Sequence, residues 1–329
     1  MRLNFCVLAL CALPCVAQFP SAYKHVDRVF WVVDDLDRAT TGWQKARAAA
    51  EAPHGEYDST VEYRGESRKT KIGWSSAPFA GITADFIQPL RGENAFSDFA
   101  KRHRLGVAAL VHRVATKEAL DAEVSRMKSL GVSVLQSGMI PTEPSAKYVL
   151  FDTEADGKYL LGIAYYQNAP TAPSVRKIVQ YAFVAHDLEA VSKYWTKLGF
   201  PAMSFTHPAL WDLRYHDQPG DFDAQLGWQR HGDVVYEWIQ PLKGPTTYSD
   251  HMRVYAEGLH HIAFQVEDIS AESAEWTRAG FPFEQGGAWG ERDKPGYGRF
   301  AYQDTHKIGG IDIELLWNYR DTAVKTTQK

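Results

Sequence analysis

Short apolar blocks recur along the chain, and each runs into a segment with helical periodicity. Asp27–Val33, Val107–Val114, Ile178–Ala185 and Leu259–Val266 are apolar enough to read as buried strands. The segments that follow are Leu36–Ala50, Lys117–Leu130, Leu188–Leu198 and Ile269–Ala279, and they read as amphipathic helices. Asp35, Thr116, Asp187 and Asp268 stand at N-cap positions, where a short oxygen-bearing side chain accepts from the free N–H groups of the first turn. Gly131, Gly199 and Gly280 stand where helices would end. Strand-like stretches separated by Gly, Pro and Asp turns follow each helix. The pattern predicts a β-α-β-β-β unit present four times.

Two of those units repeat the other two more closely. Ile178–Glu189 resembles Val26–Asp37, Glu237-Trp238-Ile239-Gln240-Pro241-Leu242 resembles Asp85-Phe86-Ile87-Gln88-Pro89-Leu90, and Gly258–Ile262 matches Gly106–Leu110. The pairs Gln180/Arg28, Glu237/Asp85, His261/Ala109 and Asp304/Asp152 all differ by 152 in number. A constant separation is the mark of a tandem duplication. The predicted halves are 24–168 and 175–320, joined by a Pro-rich linker at 169–174.

Residues 1–17 have the pattern of a cleaved signal peptide: Arg2, an apolar run from Phe5 to Leu13, and the small-x-small site Cys15-Val16-Ala17. The run is too short for a membrane anchor, so the expected location is secreted or periplasmic. All three cysteines (Cys6, Cys11, Cys15) lie in that segment, which leaves a mature chain without thiols or disulfides. Any bound metal must then be held by His, Glu, Asp or Gln. The formal charge of -4 becomes -5 once Arg2 is removed, which argues against nucleic acid or an anionic membrane as partner. A small-molecule substrate is expected, with the protein a monomer or homodimer.

The strand-to-helix start with a Val-x-Asp-Leu pattern, the Glu237–Pro241 strand, the Gly258–Phe264 strand and the closing Ile311–Trp317 strand together resemble the vicinal oxygen chelate superfamily. That superfamily includes glyoxalase I, methylmalonyl-CoA epimerase, extradiol dioxygenases and bleomycin-resistance proteins. The resemblance covers nearly all of residues 24 to 319. It implies an α+β fold with four βαβββ modules paired into two open eight-stranded cups, helices outside and a divalent metal within.

At the positions where such families place ligands, the C-terminal half carries Gln180, Glu237, His261 and Glu314. One imidazole, two carboxylates and one amide oxygen suit Zn, Ni, Co, Mn or Fe(II), with two octahedral positions left for substrate oxygens. Strand parity favours His261 over His260, since alternation puts His261 with Ala263 and Gln265 on one face and His260 with Ile262 and Phe264 on the other. A glutamate before Trp-Ile or Leu-Leu is ordinarily just the outward member of an alternation. Four ligand-bearing residues at homologous positions in one half alone are harder to dismiss. The duplicate half has Arg28, Asp85, Ala109 and Gly162 there (or Ala164 if the last strand carries a gap), a set that cannot hold a metal and in which Arg28 could pair with Asp85.

The resemblance implies a metal-dependent, glyoxalase-like lyase or isomerase acting by proton transfer, with Glu314 and Glu237 as the catalytic pair. The alternatives are an extradiol-type dioxygenase and a non-catalytic small-ligand binder. Among weaker candidates, Trp228, Trp238, Trp289 and Trp317 could form an apolar substrate wall, and Arg214 or Lys294 could meet an anionic group. His306 shows no partner at ligand spacing, and Asp304 reads as a turn residue.

Overall fold

The computed structural model describes residues 19–166 and 176–320; the expected leader and linker lie outside the described residues. In the N-terminal half the strands are β1 (Arg28–Val32), β2 (His54–Tyr63), β3 (Glu66–Phe79), β4 (Ile82–Arg91), β5 (Gly106–Val114), β6 (Val134–Ile140), β7 (Glu143–Phe151) and β8 (Leu160–Tyr165). Helices α1 (Leu36–Lys45), α2 (Ala95–His103), α3 (Lys117–Ser129) and α4 (Glu154–Gly157) lie between them. The C-terminal half continues with β9 (Ile178–Val184), β10 (Ser204–Thr206), β11 (Leu210–Tyr215), β12 (Gln218–Pro219), β13 (Asp223–His231), β14 (Val234–Lys243), β15 (Gly258–Gln265), β16 (Phe283–Trp289), β17 (Gly298–Asp304) and β18 (Asp312–Asn318). Its helices are α5 (Leu188–Lys197), α6 (Thr247–Tyr255), α7 (Ile269–Arg278) and α8 (His306–Gly309).

The N-cap residues act as their chemistry dictates. Asp35 accepts from the N–H of Arg38, Thr116 from Ala119, Asp187 from Ala190, and Asp268 from both Ser270 and Ala271. Helix α1 stops at Lys45, five residues short of the expected end, because Arg47 turns left-handed (φ 55°). Helices α2 and α6 went unpredicted, although Asn94 and Thr246 cap them in the same way.

The α+β class and the paired modules hold, but the two sheets differ in closure. The N-terminal strands form a closed barrel in the order β1-β4-β3-β2-β6-β7-β8-β5, rather than an open cup. It closes where Glu62 and Tyr63 of β2 pair with Ser137 and Gln136 of β6. The C-terminal sheet has ten strands, in the order β10-β13-β14-β9-β15-β18-β17-β16-β11-β12. Here the counterpart of β2 is broken at His207-Pro208-Ala209, and proline supplies no N–H for a ladder. Its first piece, β10, stays on β13, while the second, β11, pairs with β16. The sheet therefore stays open between them.

The largest apolar core draws on both halves. The contact is pseudo-symmetric: Trp31 Nε1 donates to the carbonyl of Gly309 at 2.7 Å, and Trp195 Nε1 donates to that of Gly157 at 3.2 Å. A Cβ on Gly309 would stand 2.7 Å from the Trp31 and Trp43 rings, so the approach demands glycine. No helix among the described residues is long and apolar enough to cross a membrane.

Candidate metal centre

Four adjacent central strands, β14, β9, β15 and β18, each contribute one donor to the concave face of the C-terminal sheet. In the register, Glu237 and His261 both face Ala182, while Gln180 and Glu314 both face Ala263. Alanine at the two intervening positions leaves room for the longer side chains to converge. Gln180 Nε2 lies 2.5 Å from Oε2 of Glu237, 3.4 Å from Oε2 of Glu314 and 3.5 Å from Nε2 of His261. His261 Nε2 is 3.5 Å from Glu237 and 3.2 Å from Glu314. All four residues are buried.

The charges here are tuned against one another. Burial lowers the proton affinity of His261, but Glu314 and Glu237 outweigh it and hold the imidazole up to about 9. Burial raises the proton affinity of Glu237; His261 works against that rise and the charge of Glu314 adds to it. Without a cation, the two carboxylates favour the protonated form of the imidazole between them. A dication suits the same donors better, because one imidazole nitrogen, two carboxylates and an amide oxygen match a divalent first-row ion. A half-turn of the Gln180 side-chain amide brings its oxygen to where Nε2 now points.

The parity expectation for His260 fails. The pairing of β15 with β9 shifts register between Leu259 and His261, leaving His260 as the extra residue of a β-bulge. Leu259 and Ile262 both enter the core beneath the helices, so His260 and His261 both turn toward the cup. His260 Nδ1 lies 2.9 Å from His261 Nδ1, and its Nε2 lies 3.5 Å from Oδ2 of Asp312. The same shift occurs between β1 and β5, at Ala108-Ala109, where nothing polar uses it. Two apolar positions three apart, Leu259 and Ile262, are the signal in the sequence that alternation breaks there.

In the N-terminal barrel a buried ion pair fills the equivalent place. Arg28 donates from Nε to Asp85 Oδ2 at 2.8 Å and from Nη2 to Oδ1 at 3.2 Å, and Nη2 also reaches Glu143 at 2.7 Å. Asp85 further accepts from Trp74 Nε1 and Ser76 Oγ. The anticipated pairing of Arg28 with Asp85 is present.

A cavity of about 520 Å³ opens above the four donors, with Gln180, Glu237 and Glu314 at its floor. Its walls are apolar, including Leu210, Leu226, Trp228, Trp289, Phe300 and Leu316. Of the four candidate tryptophans, Trp228 and Trp289 line it; Trp238 is core and Trp317 packs edge-on against Tyr297. Neither candidate cation reaches it. Arg214 lines a separate groove, and Lys294 pairs with Glu291 at 2.5 Å. The cation on the wall is Arg230, stacked over the Trp228 ring at 5.6 Å and two residues along the same strand face. That parity was its only mark in the sequence. His306, for which no partner was expected, sits beside Asp304, Asp312 and Glu284.

Residues 179–301 match a family model described as the Glyoxalase/Bleomycin resistance protein/Dioxygenase superfamily. No curated protein matches the chain. Among solved structures, it is similar to a triple mutant of 4-hydroxymandelate synthase from Streptomyces coelicolor, with 13% identity, a TM-score of 0.57, and 91% of this chain and 93% of that one covered. A fusion of a xylose isomerase-like TIM barrel with 4-hydroxyphenylpyruvate dioxygenase gives 15% identity and a TM-score of 0.52, covering 92% of this chain and 50% of that one. A Mn(II)-bound glyoxalase from Novosphingobium aromaticivorans gives 14% and 0.49, covering 90% of this chain and 83% of that one. At such identities the likeness is one of fold.

Proposed function

We propose, from the match of residues 179–301 to the glyoxalase, bleomycin-resistance and dioxygenase superfamily and from the likeness of fold, that the chain is a metal-dependent lyase or isomerase that moves a proton on a small oxygen-chelating substrate. The observation that carries this reading is the convergence of Gln180, Glu237, His261 and Glu314 at the floor of an apolar cavity. A divalent cation held by these four would stabilise negative charge developing on substrate oxygens.

The chain's own residues do the rest. Glu237 and Glu314 both border the cavity and flank the same imidazole nitrogen. One can take a proton from the substrate carbon and the other return it, and burial raises the proton affinity of Glu237. Trp228, Trp289 and Phe300 exclude water from the reacting carbon, and Arg230 offers a charge to an anionic substituent at the rim. An α-hydroxycarbonyl bearing an apolar group fits these walls. The leader-like residues 1–17 favour action outside the cytoplasm, and so a substrate other than a glutathione adduct or CoA ester.

The test is solvent deuterium incorporation at the α-carbon of 2-hydroxyacetophenone by the metal-loaded protein. Glu237→Gln and Glu314→Gln are expected to slow exchange by about 10²–10⁴-fold while the protein still binds metal. Unchanged exchange in both would sink the proposal. A dioxygenase reading is disfavoured because the cluster has one imidazole, not the two of the facial triad that serves Fe(II) oxygenases. Iron-dependent catechol cleavage would reverse that choice.

A further inference from the structure

Beside the four donors, at the base of the same sheet, lies a second group of ligand-type side chains that the reaction proposed above does not use. Glu284 on β16, Asp304 at the end of β17, His306 at the start of α8 and Asp312 at the start of β18 each offer one ligand atom. These atoms all lie within 4.8 Å of one another. His306 Nδ1 is 3.2 Å from Oδ1 of Asp304, 3.2 Å from Oδ1 of Asp312 and 3.9 Å from Oε2 of Glu284. The elements that converge are two strand ends and a one-turn helix, so the site is assembled by tertiary packing.

Three carboxylates around one imidazole are more negative charge than a single imidazolium can neutralise. Asp312 shows the imbalance most sharply. Its side chain is fully buried, yet neither of its oxygens accepts a hydrogen bond. A buried, ionised carboxylate without donors is strongly disfavoured unless a cation meets it or it takes up a proton, and burial raises the proton affinity of Asp312. Nε2 of His260, also fully buried, faces Asp312 at 3.5 Å and likewise makes no hydrogen bond. Among the described residues, Asp312 thus has only the rings of His306 and His260 as ion-pair partners near its oxygens, and the buried Nε2 of His260, without a hydrogen bond, points into this cluster.

The duplicate half supplies an internal control. Asp312 and His260 correspond, 152 residues earlier, to Leu160 and Ala108. Glu284 corresponds to Leu135: each directly precedes a glutamine (Gln285, Gln136) whose side-chain oxygen accepts from the first N–H of α6 or α2. Only Asp304 and His306 have polar counterparts, Asp152 and Glu154. That half builds three positions of the corner from apolar residues, Leu160, Ala108 and Leu135. The carboxylates of Glu284 and Asp312 and the ring of His260 occur only in the half that also carries the four-donor cluster.

We propose that Glu284, Asp304, His306 and Asp312 form a second divalent-cation site, suited by three carboxylate oxygens and one imidazole nitrogen to a first-row ion such as Mn²⁺ or Zn²⁺. Asp312 is the register partner of His261, and Glu314 follows two residues later on the same strand face. His260 spans the gap, with Nδ1 against His261 and Nε2 against Asp312. An ion here fixes Asp312 and hence the bulge that carries both histidines. It takes no part in the proton transfer, and the proposal stands whether or not that reaction is the correct one.

Metal stoichiometry of the full chain tests it. Protein stripped with chelator is titrated with Mn²⁺, following the loss of the free-ion electron paramagnetic resonance signal, and repeated with Zn²⁺ by elemental analysis after dialysis. Two ions per chain are expected in the wild type and one each in Glu284→Gln, His306→Ala and His261→Ala. The combination of Glu284→Gln with His261→Ala should bind none. Glu284 is partly exposed, so its substitution probes the site without opening the core. Fewer than two ions in the wild type, or two that survive both Glu284→Gln and His306→Ala, would overturn the proposal. A single ion lost only in His261→Ala would leave the four-donor centre standing and remove this one.

Discussion

Nδ1 of His261 lies 2.9 Å from Nδ1 of its neighbour His260, and this contact sets which nitrogen of each ring carries hydrogen. For His261 to present a lone pair from Nε2 to a cation, its hydrogen must be on Nδ1, donated to His260. His260 then keeps its own hydrogen on Nε2, directed at Asp312. The bulge that brings the two rings together thus makes His260 a positioning residue for a ligand.

Replacing His260 is therefore expected to weaken metal binding without removing a ligand. Outer hydrogen-bond partners of ligating histidines are typically worth 10–100-fold in affinity. His260→Ala should show a loss of about that size in competition with a chromogenic chelator. An affinity equal to wild type would contradict the tautomer assignment.

The stability of the metal-free protein should fall with rising pH. His261 is raised from its ordinary value of 6.5 to about 9. A raised group gives stability that is fully present below about pH 6.5 and lost as pH climbs through about 9. The melting temperature of stripped protein should drop across that window, and metal-loaded protein should not follow. Uptake of the cation at pH 7 should also release a proton. Calorimetric enthalpies in two buffers of different ionisation heat will show it, and identical enthalpies would count against it.

Acid should destabilise the chain for a different reason. Burial lowers His112 to about 3 and His231 to about 4, and each ring hydrogen-bonds a backbone carbonyl of the N-terminal segment, of His25 and Tyr23 respectively. These groups give stability that is present above pH 6.5 and lost as pH falls toward 4 and then 3. Each contributes roughly 1.4 kcal/mol per pH unit within its range. Denaturant unfolding at pH 6.5, 5.5 and 4.5 should show the slope, and His112→Leu should flatten it.

The ion pair in the N-terminal barrel should matter for stability and not for metal. Asp85→Ala leaves the Arg28 guanidinium buried beside Glu143, which is only partly buried. Removing one partner of a buried pair typically costs about 3–5 kcal/mol. Urea unfolding should register a loss near that size, while metal stoichiometry stays at the wild-type value. A change in bound metal would mean that this half contributes to the site.

Much of the site could be read from residues alone because matching segments 152 residues apart offered a built-in comparison. Gln180, Glu237, His261 and Glu314 differ from Arg28, Asp85, Ala109 and Gly162 at equivalent positions, and that contrast survives without coordinates. The helix starts were legible for a local reason: Asp35, Thr116, Asp187 and Asp268 bond to backbone two or three residues ahead. The missed helices α2 and α6 are short, and their caps Asn94 and Thr246 lie among strand signals.

What the sequence by itself determined, then, was the recurring strand-to-helix starts, the fourfold unit and the asymmetry between halves, all of which depend on residues near one another or on comparison along the chain. Tertiary structure alone decided three things. The N-terminal barrel closes because β2 reaches β6, whereas His207-Pro208-Ala209 splits the counterpart strand and opens the other sheet. His260 turns inward because the ladder between β9 and β15 slips by one residue, a slip that the spacing of Leu259 and Ile262 hints at but only the pairing of two strands fixes. Glu284, Asp304, His306 and Asp312 meet because strand register, helix packing and chain reversal place them together. Spacing in sequence cannot encode such a meeting, since its cause is the geometry of neighbouring strands.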